Sequence, residues 1–128
     1  MNRICLTGRL TDSPELRYTS SGTAVANFTL AVDRNYRKKN GEKDTDFIKI
    51  VCWQKLGEIV AENLDKGRLI SVDGELHINK SKTDERTYIN PEVNADNIDF
   101  LDYKDKKEKD KKESVVDGFD DFDDNGFD

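Results

Sequence analysis

The chain has 128 residues, with 21 Lys plus Arg against 27 Asp plus Glu and a formal net charge of -6, which argues against a plain basic nucleic-acid binder. Its hydrophobic content of 34%, even with glycine added, falls below the roughly 45–50% of a globular chain, so part of it is expected to lie outside any core. No apolar run approaches the roughly 20 residues of a membrane span, and the first residues lack a signal-peptide core, so a cytoplasmic protein is expected.

Residues 3–10 alternate, with Ile4, Leu6, Gly8 and Leu10 on one face and Arg3, Cys5, Thr7 and Arg9 on the other, the pattern of a half-buried strand. Turn residues at 11–14 and 20–22 bracket Leu16-Arg17-Tyr18-Thr19, which continues that strand after a bend. Residues 24–33 form a second strand with Ala26, Phe28, Leu30 and Val32 inward. In the third, 45–53, Ile48, Ile50 and Cys52 make an apolar face and leave Phe47, Lys49, Val51 and Trp53 on the other. That second face is either the buried side of a central strand or a solvated one. Lys49 between two rings favours the solvated reading, because a buried lysine loses its hydration without a partner.

After Trp53 the period becomes helical, and Leu56, Ile59, Val60 and Leu64 with a stop at Lys66-Gly67 predict a helix over 54–65. Alternation returns at 68–80, with Ile70, Val72, Gly74, Leu76 and Ile78 on one side. A charged loop at 81–87 precedes a last strand at 88–101, where Pro91 marks a break, an edge or a bulge. Five strands with one helix between the third and fourth predict an all-β five-stranded OB barrel.

Cys5 and Cys52 sit in apolar runs, are expected as core thiols, and belong to no Cys-x-x-Cys pair, so no zinc set or redox motif is visible. No cofactor or metal is expected, and with His77 the one histidine, neither a paired-histidine metal site nor a Ser-His-Asp arrangement is supported. The protein is not expected to be an enzyme.

Charge divides the chain into three parts. Residues 1–103 carry 15 basic and 17 acidic side chains and form the expected folded domain. Residues 104–113 are ten charged residues in succession, so 104–116 is expected to be a flexible linker. Residues 117–128 hold six carboxylates, three phenylalanines and no base, and are expected to be disordered. Phe119, Asp120, Asp121, Phe122, Asp123, Asp124, Phe127 and Asp128 suit docking on a partner protein, since acidic and hydrophobic alternation is an interaction composition; a merely solubilising tail is the alternative. Without that tail the chain has 21 bases and 21 acids, so its acidity does not exclude nucleic acid.

Between the second and third strands, Arg34, Arg37, Lys38, Lys39 and Lys43 surround Tyr36, with Asn40-Gly41 as the turn at the tip. With Phe47, Lys49, Trp53 and Lys55 this basic finger would form a groove in which cations follow phosphates and rings stack on bases. Single-stranded nucleic acid calls for that combination, whereas a duplex reader would want a recognition helix.

These residues also resemble a known family. Residues 1–10, Pro14-Glu15-Leu16-Arg17-Tyr18, residues 24–32, Asp46-Phe47-Ile48 through Trp53, Lys66-Gly67 and Val72-Asp73-Gly74 are similar, in order and spacing, to the bacterial and phage single-stranded DNA-binding proteins. The resemblance covers roughly residues 1–101 and implies an OB fold, commonly a homotetramer, that wraps single-stranded DNA in replication, recombination and repair. It implies stacking by Tyr36, Phe47 and Trp53. Phosphate contacts are expected from Arg3, Arg9, Arg34, Arg37, Lys38, Lys39, Lys49, Lys55, Lys80, Lys82 and Arg86.

Two departures stand out. A further stacking position falls on or beside Ser81, which carries no ring. The family's tail usually ends in Pro-Phe, whereas this one ends Gly126-Phe127-Asp128, a variant that suggests a phage copy. The competing reading is an OB-fold replication accessory module whose basic finger contacts a protein.

Overall fold

The structure, a computed structural model, describes residues 1–102. The expected linker at 104–116 and tail at 117–128 lie, with Tyr103, outside the described residues. The period-two segments become six strands: β1 (Ile4–Leu10), β2 (Glu15–Tyr18), β3 (Ala24–Arg37), β4 (Lys43–Trp53), β5 (Leu69–Lys82) and β6 (Thr87–Phe100). One helix, α1 (Gln54–Asn63), lies between β4 and β5. Five strands close a barrel in the order β1-β5-β6-β4-β3, with β3 returning to β1, and β2 pairs outside on β3. Neighbours are antiparallel except β4 and β6, which run parallel at Ile50↔Val93 and Val51↔Asn94. This is the expected OB barrel.

The inward residues of the alternation make the core. Leu10, Ala26, Phe28, Leu30, Ile50, Cys52, Ile70, Val72 and Val93 are buried together, and Val60 of α1 with Leu64 completes the cluster. Each fully buried Leu or Ile contributes about 1.5–3 kcal/mol relative to exposure. Closure needs a close approach at β1, which pairs with β5 through Arg9 and with β3 at Arg9 and Leu10. A Cβ at Gly8 would strike the backbone carbonyl oxygen of Ala31, so a hydrogen is required there.

β3, β5 and β6 each have 14 residues, a reach of roughly 46 Å that exceeds the barrel wall. Their outer halves project as two hairpin arms whose side chains are mostly exposed. The first is the expected finger: Gly41 takes φ +87° at its tip, and its N–H donates to the Lys38 carbonyl at 2.9 Å. The second is tighter than the expected charged loop, because strand pairing continues to Lys82↔Thr87 and leaves a turn of four residues, 83–86.

Several expectations are corrected. Leu16-Arg17-Tyr18 forms its own strand, β2, paired with β3 and exposed along its length. The helix ends at Asn63 instead of Asp65; Leu64 is already extended, and Gly67, at φ +87°, serves the turn into β5, where its N–H donates to the Leu10 carbonyl at 2.8 Å. Arg68 ties this region together, donating to the Asn63 carbonyl and pairing with Asp102 at 2.8 Å. Val51 is buried although its neighbours on the same face are not, because β3 and β6 flank it with Asn27 and Asn94. Leu76 and Ile78 are exposed despite their parity, since β5 has left the barrel there.

Cys52 is a core thiol as expected, and burial pushes its pKa up to about 12. Cys5 is exposed, because it shares the outward face of β1 with Arg3 and Thr7. A maleimide added to the native protein should label Cys5 alone by mass spectrometry, with Cys52 reacting only in denaturant; two labels under native conditions would contradict this packing. Gly8→Ala should cost about 1–3 kcal/mol in urea unfolding through overpacking against the Ala31 carbonyl.

Candidate nucleic-acid interface

β4 displays the site. Its inner positions are locked by Ala26↔Cys52, Phe28↔Ile50 and Leu30↔Ile48, so the intervening Phe47, Lys49 and Trp53 must point outward. Phe47 is 68% exposed and Trp53 45%. Neither ring belongs to the core cluster, and the Lys49 ammonium between them lies 3.7 Å from Glu92 of β6. β4 then turns into α1 without a connecting residue, and Gln54 takes φ +59°, in the left-handed region, to make that turn beside Trp53.

A hydrogen-bond relay holds the Trp53 ring. Its Nε1–H donates to Asn94 Oδ1 at 2.8 Å. With its oxygen so engaged, Asn94 presents its amide nitrogen to His77 Nδ1 at 3.1 Å. An amide nitrogen only donates, so Nδ1 accepts and the ring's proton sits on Nε2, which donates to Glu75 Oε1 at 3.0 Å. His77 is therefore part of the support for the indole.

The finger is less basic than its cation count. Asp46 receives Arg34 through both oxygens, at 2.9 and 3.0 Å. Lys38 pairs with Asp44 at 3.1 Å, and Lys43 with Asp33 at 3.4 Å. Arg37 donates to the Gly41 carbonyl, and Lys39 has no carboxylate partner among the described residues. Hydrogen bonding from Arg34 holds the Asp46 carboxyl below the usual aspartate range, and the Thr45 hydroxyl does the same for Asp33. Exposed pairs of this kind contribute about 0–1 kcal/mol, so phosphates could replace these carboxylates at little cost.

The expected site residues divide by face. Val32↔Asp46 and Ala31↔Phe47 are consecutive pairs, so Asp46 and Phe47 point to opposite sides. Tyr36 accepts a hydrogen bond from Arg34 at 2.8 Å and thereby keeps its hydroxyl on the Asp46 side, across the hairpin from Phe47. Arg3 is held by Asp73 and Asp96, and Arg9 by the Gly67 carbonyl. Lys55 lines a shallow cleft with Tyr18, Leu16 and Glu58. On the second arm, Lys80 and Lys82 share a face with Leu76, Ile78 and Ile89, while the opposite face carries His77, Asn79, Ser81, Tyr88, Asn90 and Glu92. Arg86 lies over the Tyr88 ring at 5.4 Å. No helix among the described residues is long and apolar enough to cross a membrane.

The model of the single-strand binding protein family matches residues 1–101. The chain belongs to that family. Among similar proteins, the single-stranded DNA-binding protein of Caldanaerobacter subterraneus subsp. tengcongensis is 55% identical over 59% of this chain and 51% of its own length. That of Halalkalibacterium halodurans is 48% identical over 77% of this chain and 59% of its own. Single-stranded DNA-binding protein A of Bacillus subtilis is 45% identical, over 77% and 58% respectively. The chain thus spans between half and three-fifths of these relatives. The family is one of binding proteins and not of enzymes.

In this single-strand binding protein family member, sequence reasoning missed Asn94 as the partner of the Trp53 indole. Asn94 gave no local signal, since its role comes from meeting Trp53 across strands.

Two outcomes test this geometry. Asn94→Ala should red-shift Trp53 emission and lower its anisotropy with the melting temperature nearly unchanged. A carboxyl NMR titration should place Asp33 and Asp46 below the ordinary value of about 3.9. Their folded pKa values are depressed, so their support for the finger is present above that value and fades as pH falls through the lower native ones.

Proposed function

We propose that the chain binds single-stranded DNA without sequence preference and protects it in replication, recombination and repair. The observation that carries this reading is the outward face of β4, where Phe47 and Trp53 stand exposed on either side of Lys49. Exposed rings stack on any base, and cations follow the backbone. The family match and the names of the relatives support the same ligand.

Phe47 and Trp53 act as stacking platforms. Tyr36 meets the strand where it passes round the hairpin edge. Lys49 and the finger cations Arg34, Arg37, Lys38 and Lys39 take phosphates, the paired ones by exchanging their carboxylate partners. Lys55, Lys80, Lys82, Arg86, Arg3 and Arg9 extend the phosphate path. Self-association as a homotetramer follows from the resemblance, and the exposed Leu76, Ile78 and Ile89 supply an apolar face for it. The acidic, Phe-bearing tail docks replication and repair proteins, and the protein works in the cytoplasm.

Trp53 is the one tryptophan, so its fluorescence reports on the site directly. Oligo-dT should quench it strongly, and added salt should reverse the quenching as counterions compete; duplex of equal length should have little effect. Equal responses to both DNAs would instead favour an OB-fold protein-interaction module.

A further inference from the structure

We propose that Asn94 is a positioning residue for single-stranded DNA binding: backed by His77 and Glu75, it holds the Trp53 indole in its base-stacking orientation before DNA arrives. The proposal rests on the single-stranded DNA reading above and deepens it, by giving a part in binding to three side chains that stack on nothing themselves.

The register brings these groups together. Val51↔Asn94 on the parallel β4–β6 pair and Glu75↔Asn94 on the antiparallel β5–β6 pair place Asn94 between the two outer strands. Trp53 and His77 each lie two residues further along their own strands, so Trp53, Asn94, His77 and Glu75 share one outward face. The donors in the series all point the same way. The indole N–H donates to Asn94 at 2.8 Å, the Asn94 amide to His77 at 3.1 Å, and the His77 Nε2–H to the Glu75 carboxylate at 3.0 Å. Hydrogen bonds aligned head to tail polarise and strengthen one another. Both ends of the Asn94 amide are engaged within the protein, and its direction is set by His77 on the far side.

Fold stability does not account for this series. Trp53 is 45% exposed, so water would satisfy an indole N–H left without a protein partner, and the net gain from the protein bond is small. What a bond of fixed direction adds is orientation. Gln54, at φ +59°, already fixes the backbone on one side of Trp53, and the bond to Asn94 fixes the ring. Phe47, 68% exposed, has no polar atom by which a neighbour could hold it. A ring free to turn presents its stacking face only part of the time, and the apparent affinity falls by that fraction. The relay removes that loss at Trp53, the one platform that has an N–H to hold.

The test measures, by the anisotropy of a labelled oligo-dT of about 16 nucleotides, the affinity of the full chain and its variants; that length is within the range for one OB fold. Asn94→Ala should weaken binding by about 3- to 10-fold, the bias that one hydrogen bond supplies, with the salt slope unchanged because no phosphate contact is lost. Asn94→Leu, which keeps the side-chain volume without the amide, should do the same. Trp53→Phe removes the N–H, so in that background Asn94→Ala should have no further effect, the mark of two coupled residues. Unaltered affinity in both Asn94 variants, an equal loss with and without the indole, or a fall in salt slope would each overturn the proposal. Failure of the wild type to bind oligo-dT, or a Trp53→Ala variant that binds as tightly as the wild type, would overturn the underlying reading instead, and the proposal with it.

Discussion

Burial of Phe28, Leu30, Ile50 and Cys52 against one another fixes the register of β4 on β3, and everything the surface does depends on that register. Side chains alternate along a strand, so a slip of one residue would send Phe47, Lys49 and Trp53 inward and the core residues into water. Nine consecutive pairs, from Val25↔Trp53 to Asp33↔Thr45, hold the two strands in place. Gly8 completes the constraint from the far side by letting β1 approach Ala31 closely enough to close the barrel. The binding face is thus the outer consequence of an inner packing problem.

The charges follow a second logic. A count of residues makes the finger strongly cationic, yet most of its bases already face carboxylates on the same hairpin. Such pairs keep Arg34, Lys38 and Lys43 ordered without DNA and are weak enough at the surface to exchange. The proposed binding swaps a carboxylate for a phosphate, with the rings supplying the part of the affinity that has no internal competitor. The -6 of the whole chain reflects residues 117–128 rather than this surface.

How much the sequence revealed depended on whether a residue's role was local. Alternation at 24–33 and 45–53 named the core positions Ala26, Phe28, Leu30, Ile50 and Cys52, and an exposed Phe47–Trp53 face was readable from Lys49 between the rings. Periodicity could not say where a strand leaves the barrel, so Leu76 and Ile78 looked like core, and it gave Val51 to solvent although both flanking strands cover it. Cys5 was misjudged because its apolar neighbours suggested burial, while its parity with Arg3 already placed it outside. Tyr36 and Phe47 looked like one groove in a linear reading and fall on opposite faces of the hairpin. The Glu75–His77–Asn94–Trp53 relay joins three strands and has no linear signature.

The central claim is that one face, running from Phe47 through Trp53 and Asn94 along the β5–β6 arm, receives the strand. Mapping backbone and side-chain NMR shifts of the full chain during titration with oligo-dT tests it most directly. The largest changes should fall on Phe47, Lys49, Trp53, Asn94, His77 and Asn79, with the core residues Leu10 and Ile70 nearly still. Changes centred on β1 and β2, with the β4 face unmoved, would contradict the account.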